Sequence, residues 1–177
     1  MAVNPVDPVY PIPPPDARFA AGLTALCRWL AVAGGLLLAA VAIVTVVSVV
    51  GRALFAAPVP GDFELVELGC GIAVFAFLPY CHLTNGNVAV DFLIDRLPAP
   101  LGRAAVLAGH LLLAAVALVL AHRLGAGGLD MWRAADETMV LQVPRWWAFP
   151  PMVVSALLLV VVCGFAAVRD LRAGRAP

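Results

Sequence analysis

The chain has 177 residues, of which 63% are hydrophobic and 12% are charged. Soluble domains average about 45–50% apolar and about 25% charged residues, so the composition excludes an ordinary soluble domain and predicts an integral membrane protein. Eleven basic residues balance eleven acidic ones. No basic tract is long enough to follow a phosphate backbone, which argues against nucleic acid as a partner and leaves membrane lipid as the expected surroundings.

The chain begins with a proline-rich segment, in which six of the first sixteen residues are proline. Such a segment cannot form a helix and has little to bury, so we expect residues 1–20 to be a disordered or polyproline-like cytoplasmic tail. An arginine-rich cytoplasmic tail is predicted for 171–177, and the four-span membrane domain for 21–170.

Four apolar segments are predicted to cross the membrane, because about 20 apolar residues in a helix cover about 30 Å of hydrocarbon. Their approximate limits are 27–51, 63–83, 102–123 and 146–168. The first has no charge between Trp29 and Gly51, and the fourth has none between Trp146 and Val168. The predicted fold class is therefore an all-α integral membrane protein with four transmembrane helices.

A short turn joins the first two spans and brings charges together. Arg52 closes the first span, and Glu64 and Glu67 lie in the first turns of the second, where acidic groups suit the helix dipole. One interpretation is a partly desolvated salt bridge between Arg52 and Glu64. The other is ordinary charge flanking of two spans.

The middle loop carries a polar stripe. Asn87, Asp91 and Asp95 are spaced i, i+4, i+8, which places them on one face of a short amphipathic helix that ends at Pro98. This helix is expected to lie in the membrane interface. The two aspartates repel each other, so Arg96 or a partner subunit is expected to cover them unless the face is simply solvated.

The third loop has a similar pattern. Three glycines are expected to end the third span, and residues 129–143 then carry Asp130, Arg133 and Glu137 on one helical face. We therefore predict a second short interfacial helix there. The three glycines are Gly125, Gly127 and Gly128.

The distribution of arginines predicts the orientation. With four spans, both termini and the middle loop lie on one side, and that side holds seven of the eleven arginines. The positive-inside rule therefore places both termini in the cytoplasm.

The predicted spans offer few groups for chemistry. His110 is the one strongly polar side chain expected inside them, about two turns into the third span, and no catalytic or nucleotide-binding motif is recognisable. We expect neither an enzyme nor a resident cofactor. Because His82 and His110 are both near the cytoplasmic side, a haem-binding membrane anchor of a redox complex is the alternative function. A stand-alone four-span protein is a third possibility.

Five short motifs occur in order along the chain: Gly51-Arg52-Ala-Leu-Phe55, Val59-Pro60, Phe63-Glu64-Leu65, Asn87-Val-Ala-Val-Asp91-Phe-Leu-Ile-Asp95-Arg96-Leu97-Pro98 and Val143-Pro144-Arg145-Trp146-Trp147. Together they resemble the DctQ-like small membrane subunit of tripartite ATP-independent periplasmic (TRAP) transporters. Each motif is weak by itself, but their order and spacing over about residues 23–170 are fairly specific. Asn87 stands where that family usually has a histidine, and asparagine cannot carry a proton.

The resemblance implies a bacterial inner-membrane protein that binds a large multi-span permease subunit. A periplasmic solute-binding protein would deliver small organic acids, which are typically imported with sodium. The sodium and substrate sites would belong to the permease, and this chain would be a rigid support beside it. Its subunit-facing or structural positions would be Arg52, Glu64, Glu67, Asn87, Asp91, Asp95 and Arg96.

Overall fold

The computed structural model describes residues 17–84 and 99–173, which form four long helices and no β-strand. We number them α1 (Ala17–Phe55), α2 (Asp62–Leu83), α3 (Ala99–Arg133) and α4 (Phe149–Ala173), and a 3-10 turn, Arg145–Ala148, precedes α4. All four are long and apolar enough to cross a membrane, so the predicted all-α, four-helix class is confirmed. The predicted limits of the spans within a bilayer stay predictions. The proline-rich tail and the middle-loop helix lie outside the described residues.

The helices satisfy their own polar groups, as a lipid environment requires. The hydroxyl of Thr45 donates to the Val41 carbonyl at 2.9 Å, and that of Ser155 donates to the Pro151 carbonyl at 2.7 Å. At the end of α1, Ala56 adopts a left-handed conformation with φ of 51°. The next amide then donates back to the Gly51 carbonyl at 3.2 Å, which caps the helix.

The four helices form an open row along most of their length. Near the start of α1, Leu23 and Cys27 also contact Val162 of α4, and His82 at the end of α2 reaches His110 of α3. Among the described residues, α1 packs along α2, α2 along α4, and α4 along α3, so the order across the row is α1, α2, α4, α3. The most apolar 18-residue window of α4 is 44% buried, against 11% for α1 and 11% for α3. The two outer helices therefore leave most of their surface open.

Close contacts within the row depend on small residues. A side chain added at Gly34 of α1 would meet the Ala76 side chain of α2 at 2.9 Å, and one added at Gly69 would meet the Val41 side chain at 2.5 Å. Both glycines therefore let α1 and α2 approach closely, as is common for membrane helices. A second contact is a core of Ala117, Leu159 and Cys163 between α3 and α4.

The row has two ends along the helix axes, which we name by the parts of the chain that lie there. At the hairpin end, α1 ends and α2 begins, and the 134–144 loop connects α3 to the 3-10 turn. At the terminal end, α1 and α3 begin and α2 and α4 end.

The predicted break after the third span is wrong. Helix α3 continues without interruption through its three glycines to Arg133, and 134–144 is a folded loop instead of a second interfacial helix. In lipid, ending a helix exposes backbone groups that no water can satisfy, so a glycine alone does not stop it. Gly128 instead makes room for Phe149, since an added side chain would meet the Phe149 Cβ at 2.7 Å.

Candidate functional site

A buried carboxylate connects α1 to α2 at the hairpin end. Asp62, in the first turn of α2, accepts a hydrogen bond from the Ser48 hydroxyl at 2.6 Å and one from the Phe63 amide at 2.9 Å. Ser48 is fully buried, and its oxygen also accepts the Val59 amide at 3.2 Å. An acidic group at the start of a helix also suits the positive end of the helix dipole. The hairpin is thus fastened to both helices.

Arg52 pairs with Asp62, and not with Glu64, the partner that one of the two interpretations named. Its Nη2 atom lies 3.8 Å from the Asp62 Oδ2, while the guanidinium sits 6.0 Å from the centre of the Phe63 ring. Two residues along a helix turn the side chain by about 200°, so Asp62 and Glu64 point in nearly opposite directions. An ion pair across the hairpin therefore forms, and its acidic residue is Asp62 instead of Glu64.

Glu64 holds the 134–144 loop. Its two carboxylate oxygens accept the backbone amides of Val140 at 2.8 Å and Leu141 at 3.0 Å. Within the loop, Thr138 closes a tight turn by accepting the Val143 amide on its hydroxyl at 3.0 Å. The carboxylate therefore ties the start of α2 to the connection between α3 and α4.

The other predicted site residues divide into two groups. Glu67 is exposed on α2 and belongs to none of the ion pairs found in residues 17–84 and 99–173. The middle-loop positions lie outside the described residues, so their roles stay predictions. These are Asn87, Asp91, Asp95 and Arg96.

A second polar cluster lies at the terminal end and joins three helices. His110 of α3 contacts His82 of α2 through Nδ1 and Nε2, which are 3.1 Å apart. The Nε2 of His110 lies 3.1 Å from the Asp170 Oδ2 on α4, and the Arg169 Nε donates to the other oxygen of Asp170 at 3.1 Å. Each contact is satisfied if His110 donates from Nε2 to Asp170 and accepts from His82 on Nδ1.

This cluster changes the interpretation of His110. Asp170 and Arg169 follow the apolar part of α4, so His110, six residues into the candidate span Ala104–Arg133, has charged partners from the end of a neighbouring helix. This pairing has no local signature in the sequence, because His110 is 28 residues from His82 and 60 residues from Asp170. The one feature of the sequence that could have indicated this cluster is the presence of ionisable side chains, His82, His110 and Asp170, in otherwise apolar helices.

The geometry does not support haem or metal binding here. His110 uses both ring nitrogens for protein partners, so neither is left to bind iron in this arrangement. Within the part of the chain that the structure describes, no three histidine, cysteine or acidic side chains converge as a metal site would require. The cluster is suited to holding α2, α3 and α4 together.

Over most of its length, the chain is similar to a known protein family. The family model described as "Tripartite ATP-independent periplasmic transporters, DctQ component" matches residues 41–173, about three-quarters of the chain. The chain belongs to the DctQ family. The match covers the last 15 residues of α1 and all of α2, α3 and α4, so both polar clusters of this DctQ-family subunit lie within it. No curated protein and no solved structure matches the chain.

Family membership fixes the broad function. This DctQ-family chain is a multi-pass membrane component of a tripartite transporter, and it therefore works with the other components of that system. The resemblance inferred from the hairpin, the middle loop and the entry to the fourth span is confirmed at the level of the family.

Proposed function

We propose that this chain is a non-catalytic, static support for the large permease subunit of a TRAP transporter in a bacterial inner membrane. The transporter would import small organic acids, most of them carboxylates, together with sodium. A periplasmic solute-binding protein would deliver the solute. The sodium and solute sites would lie in the large subunit.

The observation that carries this proposal is the position of the polar contacts. The two hydrogen-bonded clusters described above lie at opposite ends of the row and tie adjacent elements together. Between them the contacts are apolar, with α4 packed between α2 and α3. Transport of an ion needs polar groups that line a route between the helices, whereas a support needs rigid, apolar helix contacts and an open surface for its partner.

The row arrangement gives a second argument. A closed four-helix bundle would bury one face of every helix, but α1 and α3 are mostly exposed here. An open row with two mostly exposed outer helices can widen the membrane footprint of the permease. Large exposed apolar side chains on both outer helices are consistent with that role.

Co-purification and transport together test the proposal. We expect the chain to be recovered with its large permease in detergent, and proteoliposomes with both subunits and the binding protein to take up solute. Proteoliposomes without the small subunit are the control. If the chain purifies alone and uptake is unchanged without it, the proposed support role is wrong.

Orientation needs a separate measurement. Seven of eleven arginines lie on the side of the termini, so reporter fusions at both ends should be active in the cytoplasm. A periplasmic C-terminal reporter would reverse the proposed topology.

A further inference from the structure

The side of α3 that faces away from α4 is open. The packed side is buried at Ala117 and Ala121. We call the opposite side the outer face of α3, and its residues recur every three or four positions, so that they lie along one side of the helix. Each of them is exposed: Leu112, Ala115, Val119, His122, Arg123 and Ala126.

Polar layers at the two ends of α3 locate this face in the membrane. Trp132 lies one turn beyond Gly128, and Gly128 packs on Phe149. Phe149 directly follows the 3-10 turn, which holds two further tryptophans. Tryptophans concentrate at the membrane surface. The histidine cluster at His110 forms the other layer. The 22 residues between Trp132 and His110 span about 33 Å, close to the thickness of the hydrocarbon layer.

If these two layers mark the membrane surfaces, Arg123 lies well inside the membrane and not at the end of the third span, where the sequence alone predicts it. It is nine residues from Trp132, or about 13 Å, and thirteen residues from His110, or about 20 Å. An arginine near a helix end can extend to the membrane surface, but this position is more than two turns from either layer. Among the described residues, Arg123 and His122 take part in no ion pair and no side-chain hydrogen bond.

Charged side chains at such depth are rare and face protein or water, where a partner compensates the charge. We propose that the outer face of α3 packs against a helix of the large permease, and that this helix presents a carboxylate to Arg123. The inference rests on the proposed function, because it names the surface through which the support binds its partner.

Other occupants fit less well. The solute-binding protein is periplasmic and cannot reach this depth. A second copy of this chain, related by a twofold axis through α3, would bring one Arg123 towards another. The one carboxylate that α3 carries among its described residues is Asp130, about 10 Å further along the helix and already 3.9 Å from Arg133.

Photo-crosslinking tests the location of the surface. A photoreactive amino acid is placed at Val119 on the outer face, or at Leu36 of α1, which is 69% exposed. Both variants are expressed with the large permease. We expect Val119 to capture the permease. Capture from Leu36 without capture from Val119 would overturn the inference, and so would lipid adducts alone at Val119. In both cases intact co-purification would leave the proposed function standing.

Charge variants test the chemistry. Arg123→Gln should lower recovery of the permease with this chain about tenfold, because its carboxylate partner is left buried and unpaired. Arg123→Lys should restore much of the recovery, and Arg133→Gln, on the same helix near the Trp132 layer, should have little effect. Equal recovery for Arg123→Gln and wild type would refute the charge pairing.

The stability of the chain alone provides a second criterion. Arg123 makes no polar contact within the described chain, so Arg123→Gln expressed without the permease should accumulate in membranes as the wild type does. Loss of the variant under that condition would show a structural role within the chain and would overturn the proposal. Failure of the wild type to bind the permease at all would contradict the proposed function itself.

Discussion

Replacement of Asp62 by alanine tests the fastening of the hairpin. The carboxylate accepts the Ser48 hydroxyl at 2.6 Å and the Phe63 amide at 2.9 Å, and its side chain is 12% exposed. Asp62→Ala removes the acceptor for both donors. The Phe63 amide lies in the first turn of the helix, where water can satisfy it, but Ser48 is fully buried.

The magnitude follows from these contacts. A hydrogen bond to a charged group contributes about 1.5–3 kcal/mol, and a buried hydroxyl left without an acceptor adds a penalty. The Ser48 hydroxyl can recover part of this by turning to a carbonyl four residues earlier in α1. We therefore expect Asp62→Ala to lower the free energy of unfolding by about 2–3 kcal/mol. Arg52→Ala should cost less than about 1 kcal/mol, because that side chain is 55% exposed and its ion pair is long at 3.8 Å.

Reversible denaturation in mixed detergent micelles measures these differences, and a double-mutant cycle isolates the main contact. Ser48→Ala and Asp62→Ala should be coupled by about 1–2 kcal/mol, since each removes the same hydrogen bond. Asp130→Ala is the control, because its side chain is 78% exposed. Additive effects of the Ser48 and Asp62 variants, or a larger loss from Arg52→Ala than from Asp62→Ala, would refute the reasoning.

Three further predictions concern packing and assembly. Glu64→Ala should speed hydrogen exchange of the Val140 and Leu141 amides, which its carboxylate binds, by about tenfold or more. Mass spectrometry of peptides from the loop measures this exchange, and Glu67→Ala is the control that should leave it unchanged. Gly128→Ala should destabilise the α3–α4 contact by about 1–3 kcal/mol in the same micelle titration, because the added methyl group meets Phe149. An added methyl group at Gly125 meets nothing within 4 Å, so Gly125→Ala should be neutral or stabilise by up to about 1 kcal/mol. Arg52→Ala or Glu64→Ala should reduce permease recovery more than proline replacements in the N-terminal tail.

Each of these has a clear contrary result. Unchanged exchange in the Glu64 variant would mean that the loop keeps its shape without the carboxylate. Equal stabilities of the two glycine variants would mean that α3 and α4 do not approach as closely as the structure has them. Equal recovery from the hairpin and tail variants would remove the hairpin from the assembly surface.

Sequence was sufficient for the properties that depend on local composition. Hydrophobicity and length determine whether a helix can cross a bilayer, so four helices were predictable from apolar content alone. The same reasoning failed at the three glycines of α3, because glycine is a local signal for ending a helix in water. Within lipid, the cost of exposed backbone groups and the close approach of Phe149 outweigh it.

Partners of polar side chains were decided by the tertiary structure. The sequence indicated that Arg52 would meet an acid, but the direction of each side chain on α2 selected Asp62 for Arg52 and left Glu64 for a loop 76 residues away. Within the described residues, the side chain of His110 has no partner in its own span, and only the packing of α3 brings it to His82 of α2 and Asp170 of α4. Composition sets which segments enter the membrane, since the hydrophobic effect acts on each segment separately. Hydrogen bonds are short and directional, so their pairing depends on how the helices are ordered and rotated.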